Sequence, residues 1–157
     1  MAKSTNVRVP ASLGSVTNAT AETTLGTVTL NAHSVKSDQK FRAQCVVVAT
    51  ATNSTDTLAV KFKLGSTALS TVAAFDAADN DVAFINVEGY IDASGELLHC
   101  VAFDGRTGQA LANPEPSFDV AFDVQTDKVF TVTGTWSVAS AANVAELRVF
   151  TLETTPV

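Results

Sequence analysis

The sequence has few basic residues and no long apolar run. Ten lysines and arginines stand against sixteen aspartates and glutamates, which gives a net charge of −6. Because affinity for nucleic acid comes mainly from basic side chains that neutralise phosphates, this balance disfavours a nucleic-acid-binding protein. No segment approaches the ~20 consecutive apolar residues of a membrane-spanning helix. We therefore expect no nucleic-acid partner and no membrane partner.

Cysteine is also scarce, with only Cys45 and Cys100 in 157 residues. The first fifteen residues, MAKSTNVRVPASLGS, lack the apolar segment of a signal peptide, which predicts synthesis and folding in a cytoplasm. In such a reducing compartment, cysteines flanked by apolar neighbours are expected to be buried free thiols. A disulfide between them is the alternative.

Valine, threonine and alanine dominate a composition that is 46% hydrophobic and only 17% charged. Val and Thr are stiff at Cβ and pack well on pleated sheets, so this composition favours an all-β protein. The clearest alternation lies in 58–64, where Leu58, Val60, Phe62 and Leu64 are expected to point inward. The last two strands, 128–138 and 144–152, are predicted to form a hairpin-like pair.

The same period of two recurs along the chain. It predicts strands at 24–31, 40–52, 58–64, 82–91, 96–103, 118–124, 128–138 and 144–152, with 67–75 as a strand or a short helix. In the first of these, Leu25 is expected on the face opposite Gly26 and Val28. We predict an antiparallel β-sandwich of about eight strands, with a jelly roll as the preferred topology. Residues 1–23 are predicted to be an extended N-terminal arm, and residues 24–157 the sandwich domain.

An acidic loop, Asp76–Asp81, is the best candidate for a metal site. Three carboxylates and an amide lie within six residues, and calcium prefers such oxygen ligands. The loop lacks the glycine and the terminal glutamate of an EF-hand, so a solvated loop is the preferred interpretation. We predict no cofactor and no metal, and the calcium question stays open.

Catalytic motifs are missing from the sequence, which contains no nucleophile elbow, phosphate-binding glycine loop or HExxH. The only histidines are His33 and His99, and His99 is adjacent to Cys100. Neighbouring strand residues point to opposite faces, so these two are not expected to act as base and nucleophile. A glycosidase would need paired carboxylates, and the candidates on predicted strands are Glu88, Glu96, Asp119 and Asp123. We predict that the protein is not an enzyme.

Aromatic residues that could stack on a sugar are also rare. Trp136 and Tyr90 are the only tryptophan and tyrosine, and the nine phenylalanines mostly occupy predicted inward positions. Trp136 shares a predicted face with Phe130 and Val132, which places it in the core. A sugar-binding protein is therefore a weaker alternative than a structural one.

Three segments resemble small β-sandwich virion proteins of tailed bacteriophages, especially the capsid decoration (cement) proteins. They are ATNSTDTL at 51–58, VKFKLG at 60–65 and TWSVASAANV at 135–144, together with the polar N-terminal arm. The similarity covers roughly residues 40–152, and its motifs are structural.

The resemblance implies a jelly-roll subunit, commonly a homotrimer, that sits on the outer capsid surface of the virion and clamps neighbouring major capsid proteins. Its contacts are expected in exposed loops and in the arm, with Lys3 and Arg8 as interface residues. The alternative is a receptor- or glycan-binding module of a tail or fibre, because similar sequences occur there.

Overall fold

The computed structural model describes residues 5–53, 55–109 and 117–157, and their regular structure is entirely β-strand. None of these residues forms a helix long and apolar enough to cross a membrane. The strands are β1 (Asn6–Arg8), β2 (Ser15–Thr17), β3 (Thr23–Leu30), β4 (Gln39–Ala51), β5 (Thr57–Leu64), β6 (Thr67–Asp76), β7 (Val82–Ile91), β8 (Leu97–Arg106), β9 (Phe118–Ala121), β10 (Lys128–Trp136) and β11 (Val144–Pro156). The segment with two predicted alternatives, 67–75, is a strand.

The strands form two sheets that pack face to face. The larger sheet has the order β1-β11-β4-β7-β8-β9, with β2 also pairing with β11, and the smaller has the order β3-β10-β5-β6. Every described pairing is antiparallel. The chain changes sheet repeatedly, for example from β3 to β4 and from β10 to β11. The predicted antiparallel, jelly-roll-like β-sandwich is confirmed.

Phenylalanines from both sheets fill the centre of the sandwich. Phe130 of β10 stacks on Phe41 of β4 and Phe62 of β5, with ring centroids 5.3 and 5.7 Å apart. Phe62 also meets Phe150 of β11 edge-on at 5.8 Å. Trp136 is 1% exposed, so it belongs to the core as its strand position predicts. Full burial of each such ring stabilises the fold by roughly 1.5–3 kcal/mol.

Two predicted features of the strands are corrected by the structure. β10 and β11 are not a hairpin, because β10 pairs with β3 and β5, whereas β11 pairs with β1, β2 and β4. In β3, Leu25 and Gly26 are both buried, although strict alternation would separate them. Val132 pairs with Gly26 and Thr133 with Thr24, so Leu25 is the extra residue of a β-bulge. A bulge depends on the partner strand, which sequence periodicity does not reveal.

The described part of the predicted N-terminal arm belongs to the sandwich. β1 and β2 pair with the two ends of one edge of β11, where Val7 lies opposite Glu153 and Val16 opposite Ala145. Val16 is 1% exposed, and its carbonyl oxygen accepts a 3.4 Å hydrogen bond from Trp136 Nε1. The sandwich therefore begins before the predicted boundary at residue 23. Strands of three residues are too short to show a readable period of two.

The two cysteines are buried free thiols, as expected. Cys45 lies opposite Ile85 and Cys100 opposite Gly89, on the two strands that flank β7. Their Cα atoms are offset by four residues along the strands and by two strand spacings across the sheet, which places them about 16 Å apart. A disulfide needs Cα atoms within about 7 Å. Burial raises the pKa of Cys45 to about 12 and that of Cys100 to about 11. Both thiols are therefore protonated and unreactive at neutral pH.

Candidate functional site

The described N-terminal segment and β11 together carry an apolar strip along the edge of the larger sheet. We use this name for Val7, Val9, Leu13 and Val149, which are between 39% and 64% exposed. Val9, Leu13 and Val149 line one cleft of about 280 Å³ together with Arg148, and Val7 extends the strip along β1. Single exposed apolar residues are ordinary, but a group around one cleft is typical of a protein interface.

Gly14 fixes the loop that carries this strip. Its N–H donates to the carbonyl of Leu25 in the smaller sheet at 2.7 Å, and its carbonyl accepts from the N–H of Leu147 in the larger sheet at 3.0 Å. A Cβ at this position would lie 2.8 Å from the Leu25 carbonyl oxygen, so the close approach needs glycine. The loop is therefore anchored to both sheets, and the strip is held in place before any partner arrives.

The two predicted interface residues stay predictions. Arg8 lies in β1 and is exposed, but it pairs with the buried Leu152 while Val7 pairs with Glu153, so the side chains of Arg8 and Val7 point to opposite faces. Lys3 lies outside the described residues. The apolar members of the strip were not predicted, because valine and leucine in a sequence are normally assigned to the core.

A groove crosses the outer face of the larger sheet over β11, β4 and β7, with a volume of about 440 Å³. We call it the Tyr90 groove. Its side chains come from two adjacent rows of cross-strand neighbours, and Phe41 and Gly89 lie at its floor. The lining side chains are Lys40, Arg42, Glu88, Tyr90, Glu153 and Thr155.

Tyr90 is held in position by an aromatic stack. Tyr90 is 49% exposed, and the centroid of its ring lies 4.7 Å from that of His99 on β8, with an angle of 28° between the planes. His99 Nδ1 lies 2.5 Å from Asp119 Oδ1 on β9. Because a carboxylate only accepts, this nitrogen carries the proton and the imidazole orientation is fixed. No local pattern in the sequence indicates this arrangement, because the three residues meet only through the pairing of β7, β8 and β9.

Gly89 is required by the close approach of β7 and β8. A Cβ there would lie 2.1 Å from the His99 carbonyl oxygen and 2.9 Å from the Cα of Cys100. These are backbone atoms, so the two strands would have to separate to accept any side chain. The glycine predicted to mark a close backbone approach does so.

The remaining residues considered for catalysis are dispersed. Cys100 is buried while His99 lies on the outer face, so they point apart as expected. Glu96 and Asp123 were predicted to lie within strands, but each lies in a loop next to a strand. Glu88 forms an ion pair with Arg42 at 3.5 Å. His33 sits in an exposed turn with a φ of 62°.

Two carboxylates of the acidic loop accept hydrogen bonds from nearby residues. Asp79 Oδ1 accepts from the Thr52 N–H at 2.8 Å and from the Thr52 hydroxyl at 3.1 Å. Asp81 Oδ2 accepts from the Ala78 N–H at 2.8 Å. Within the described ranges, no group of three or more His, Cys, Asp or Glu side chains is arranged to hold a metal ion. Asp81 therefore stabilises the turn of the loop itself, and Asp79 joins the loop to Thr52.

Comparison with known proteins gives likeness in fold alone. No family model matches the sequence, and neither does any curated protein. A GH43 glycoside hydrolase with an engineered active site has a TM-score of 0.46 at 11% identity, over 96% of this chain and 34% of its own length. Winged bean acidic lectin has a TM-score of 0.42 at 9% identity, over 96% of this chain and 92% of its own. Peanut lectin has a TM-score of 0.43 at 8% identity, over 96% of this chain and 91% of its own. At scores this low the likeness carries no information on ligand or activity.

Proposed function

We propose that this protein is a structural virion protein that binds the outer surface of a phage capsid and stabilises the shell by clamping neighbouring major capsid proteins. The observation that supports this function is the apolar strip, which is exposed, contiguous and anchored to both sheets through Gly14. The resemblance of three segments to capsid decoration proteins supports it independently.

The edge of the larger sheet gives this surface a second way to bind. Among the described strands, β1 pairs only with β11, so its outer edge presents backbone groups that a strand of another chain can meet. β1 has only three residues, so its edge offers few backbone hydrogen bonds to a partner strand. Together with the apolar strip it provides both directional hydrogen bonds and apolar contact area.

A clamp needs only modest affinity at each contact. It stabilises the assembled shell because it binds that state and not the dissociated subunits. Copies related by symmetry add their contacts, and joining three copies in a homotrimer raises the effective local concentration of each further contact. The proposed partners are therefore the major capsid protein and two further copies of this chain.

Immunogold labelling of intact virions with an antibody to this chain is the direct test. Even label over the head supports the proposal. Label confined to the tail or fibre contradicts it and favours the receptor-binding alternative, and virions without label contradict both.

Add-back of purified protein to undecorated capsids then tests the surface. The double variant Val9→Ser, Leu13→Ser should lose capsid binding and the thermal protection of the shell. Val129→Ser is the matched control, because Val129 is 39% exposed, like Val149, but belongs to the smaller sheet. Equal binding by both variants would rule out the apolar strip as the contact surface.

A further inference from the structure

We propose that the Tyr90 groove is a binding site for an uncharged sugar ring. The groove adjoins the apolar strip, because Val7 lies opposite Glu153, but the proposal rests on groove residues alone and does not depend on the proposed capsid contact. Two properties of the groove support it: a fixed aromatic ring and a balanced set of hydrogen-bonding groups.

The aromatic ring is available on one side. The order of the strands places His99 of β8 on one flank of Tyr90 and Lys40 of β4 on the other. The first face of the ring packs against His99, so the second face is directed toward the groove that Lys40 also lines. The face of an aromatic ring is electron-rich, and the C–H groups of a pyranose carry a small positive charge that favours stacking on it.

The ring is also held rigidly, which lowers the entropic cost of binding. Asp119 orients His99, and His99 fixes Tyr90 by stacking. A side chain that is already ordered does not lose rotamer freedom when the ligand arrives.

The polar lining matches hydroxyl groups. Arg42 and Lys40 only donate hydrogen bonds, whereas the carboxylates of Glu88 and Glu153 only accept them. A sugar hydroxyl does both, so neighbouring hydroxyls can meet both kinds of group at once. The 440 Å³ volume lies within the range of small-molecule sites.

The charges of the lining favour neither an anionic nor a cationic ligand. Two cationic and two anionic side chains surround the groove, so their formal charges cancel. An anionic ligand would meet Glu88 and Glu153, and a cationic ligand would meet Lys40 and Arg42. A neutral, hydroxyl-rich ring avoids both repulsions.

The test is a titration of ¹⁵N-labelled protein, followed by two-dimensional NMR, with the methyl glycosides of glucose, galactose, mannose and N-acetylglucosamine. Sialic acid and glucosamine serve as the charged comparison. We expect saturable shifts of backbone amides in 40–42 and 88–90, with a Kd on the order of 1 mM for at least one neutral sugar.

Tyr90→Ala should weaken this binding about tenfold or more, and Tyr90→Phe should retain it because the ring remains. Val129→Ala, on the smaller sheet, is the control for unspecific effects and should bind like the wild type. Absence of saturation by every neutral sugar at roughly 100 mM would overturn the proposal. Preferred binding of either charged sugar, or unchanged binding by Tyr90→Ala, would also overturn it.

The outcome is separable from that of the capsid proposal. Capsid binding is tested with Val9 and Leu13 on the edge of the sheet, and sugar binding with Tyr90 on its outer face. If Tyr90→Ala abolished capsid binding while no sugar bound, the groove would be a protein contact and the sugar site would be rejected.

Discussion

Replacement of Asn143 by alanine should destabilise the protein severely, because this side chain joins two loops inside the sandwich. Asn143 is completely buried. Its Nδ2 donates to Asp56 Oδ2 at 2.8 Å and to the Val138 carbonyl at 3.2 Å, and its Oδ1 accepts from the Asn53 N–H at 2.8 Å. These bonds hold the crossover from β10 to β11 against the loop before β5.

The magnitude follows from what the substitution leaves behind. Asp56 is only 6% exposed, so its carboxylate would lose a donor where water has little access. A hydrogen bond to a charged group contributes about 1.5–3 kcal/mol and each neutral one about 1 kcal/mol. We therefore expect a loss of about 4 kcal/mol in the free energy of unfolding. For a chain of this length that corresponds to a fall in Tm of roughly 8–16 °C.

Urea unfolding followed by Trp136 fluorescence measures this change, since Trp136 is buried in the core. Asn143→Asp keeps the shape but removes both donors and places a second carboxylate beside Asp56, so it should destabilise at least as much as Asn143→Ala. Asn31→Ala, at an exposed position, is the control and should stay within about 0.5 kcal/mol of the wild type. A loss below about 1 kcal/mol for Asn143→Ala would refute the reasoning.

Three further predictions concern other parts of the fold. Gly89→Ala should destabilise the protein by more than about 3 kcal/mol in urea unfolding, because its Cβ would meet backbone atoms of β8 at 2.1–2.9 Å; a change within error would contradict the close approach. Glu22 accepts hydrogen bonds from Lys61 and Lys63, which lower its pKa from 4.5 to about 2. Its contribution to stability should thus be present above pH 4.5 and lost as the pH falls toward 2. Since the Glu22 side chain is 31% exposed, we expect at most about 1 kcal/mol of this dependence, and none in Glu22→Gln. Both cysteines should resist a disulfide reagent at pH 8 in the native protein and react after unfolding; rapid native labelling would contradict their burial.

The sequence predicted those features of the fold that depend on local alternation. The pattern of Leu58 to Leu64 indicated one buried and one outward face, and the structure buries all four apolar residues of that strand. The core position of Trp136 followed from its neighbours in the same way. Such predictions succeed because successive side chains of a strand must point to opposite faces, whatever the strand pairs with.

The features of the fold that the sequence did not predict arise from pairing between strands that are distant in the chain. Val16 is buried because three residues near the N-terminus pair with β11, and Leu25 faces inward because a bulge shifts the register of β3. Neither effect leaves a local signal, since each depends on which strand lies alongside.

The sequence by itself determined the class of fold, the faces of the regular strands and the acidic net charge, because composition and a period of two act over a few residues. Only the tertiary structure brought Tyr90, His99 and Asp119 together from three strands, and only it arranged Val9, Leu13 and Val149 around one cleft. Both candidate sites are formed by residues far apart in the chain. Their geometry is set by the register and order of the strands, which the alternation of side chains does not specify.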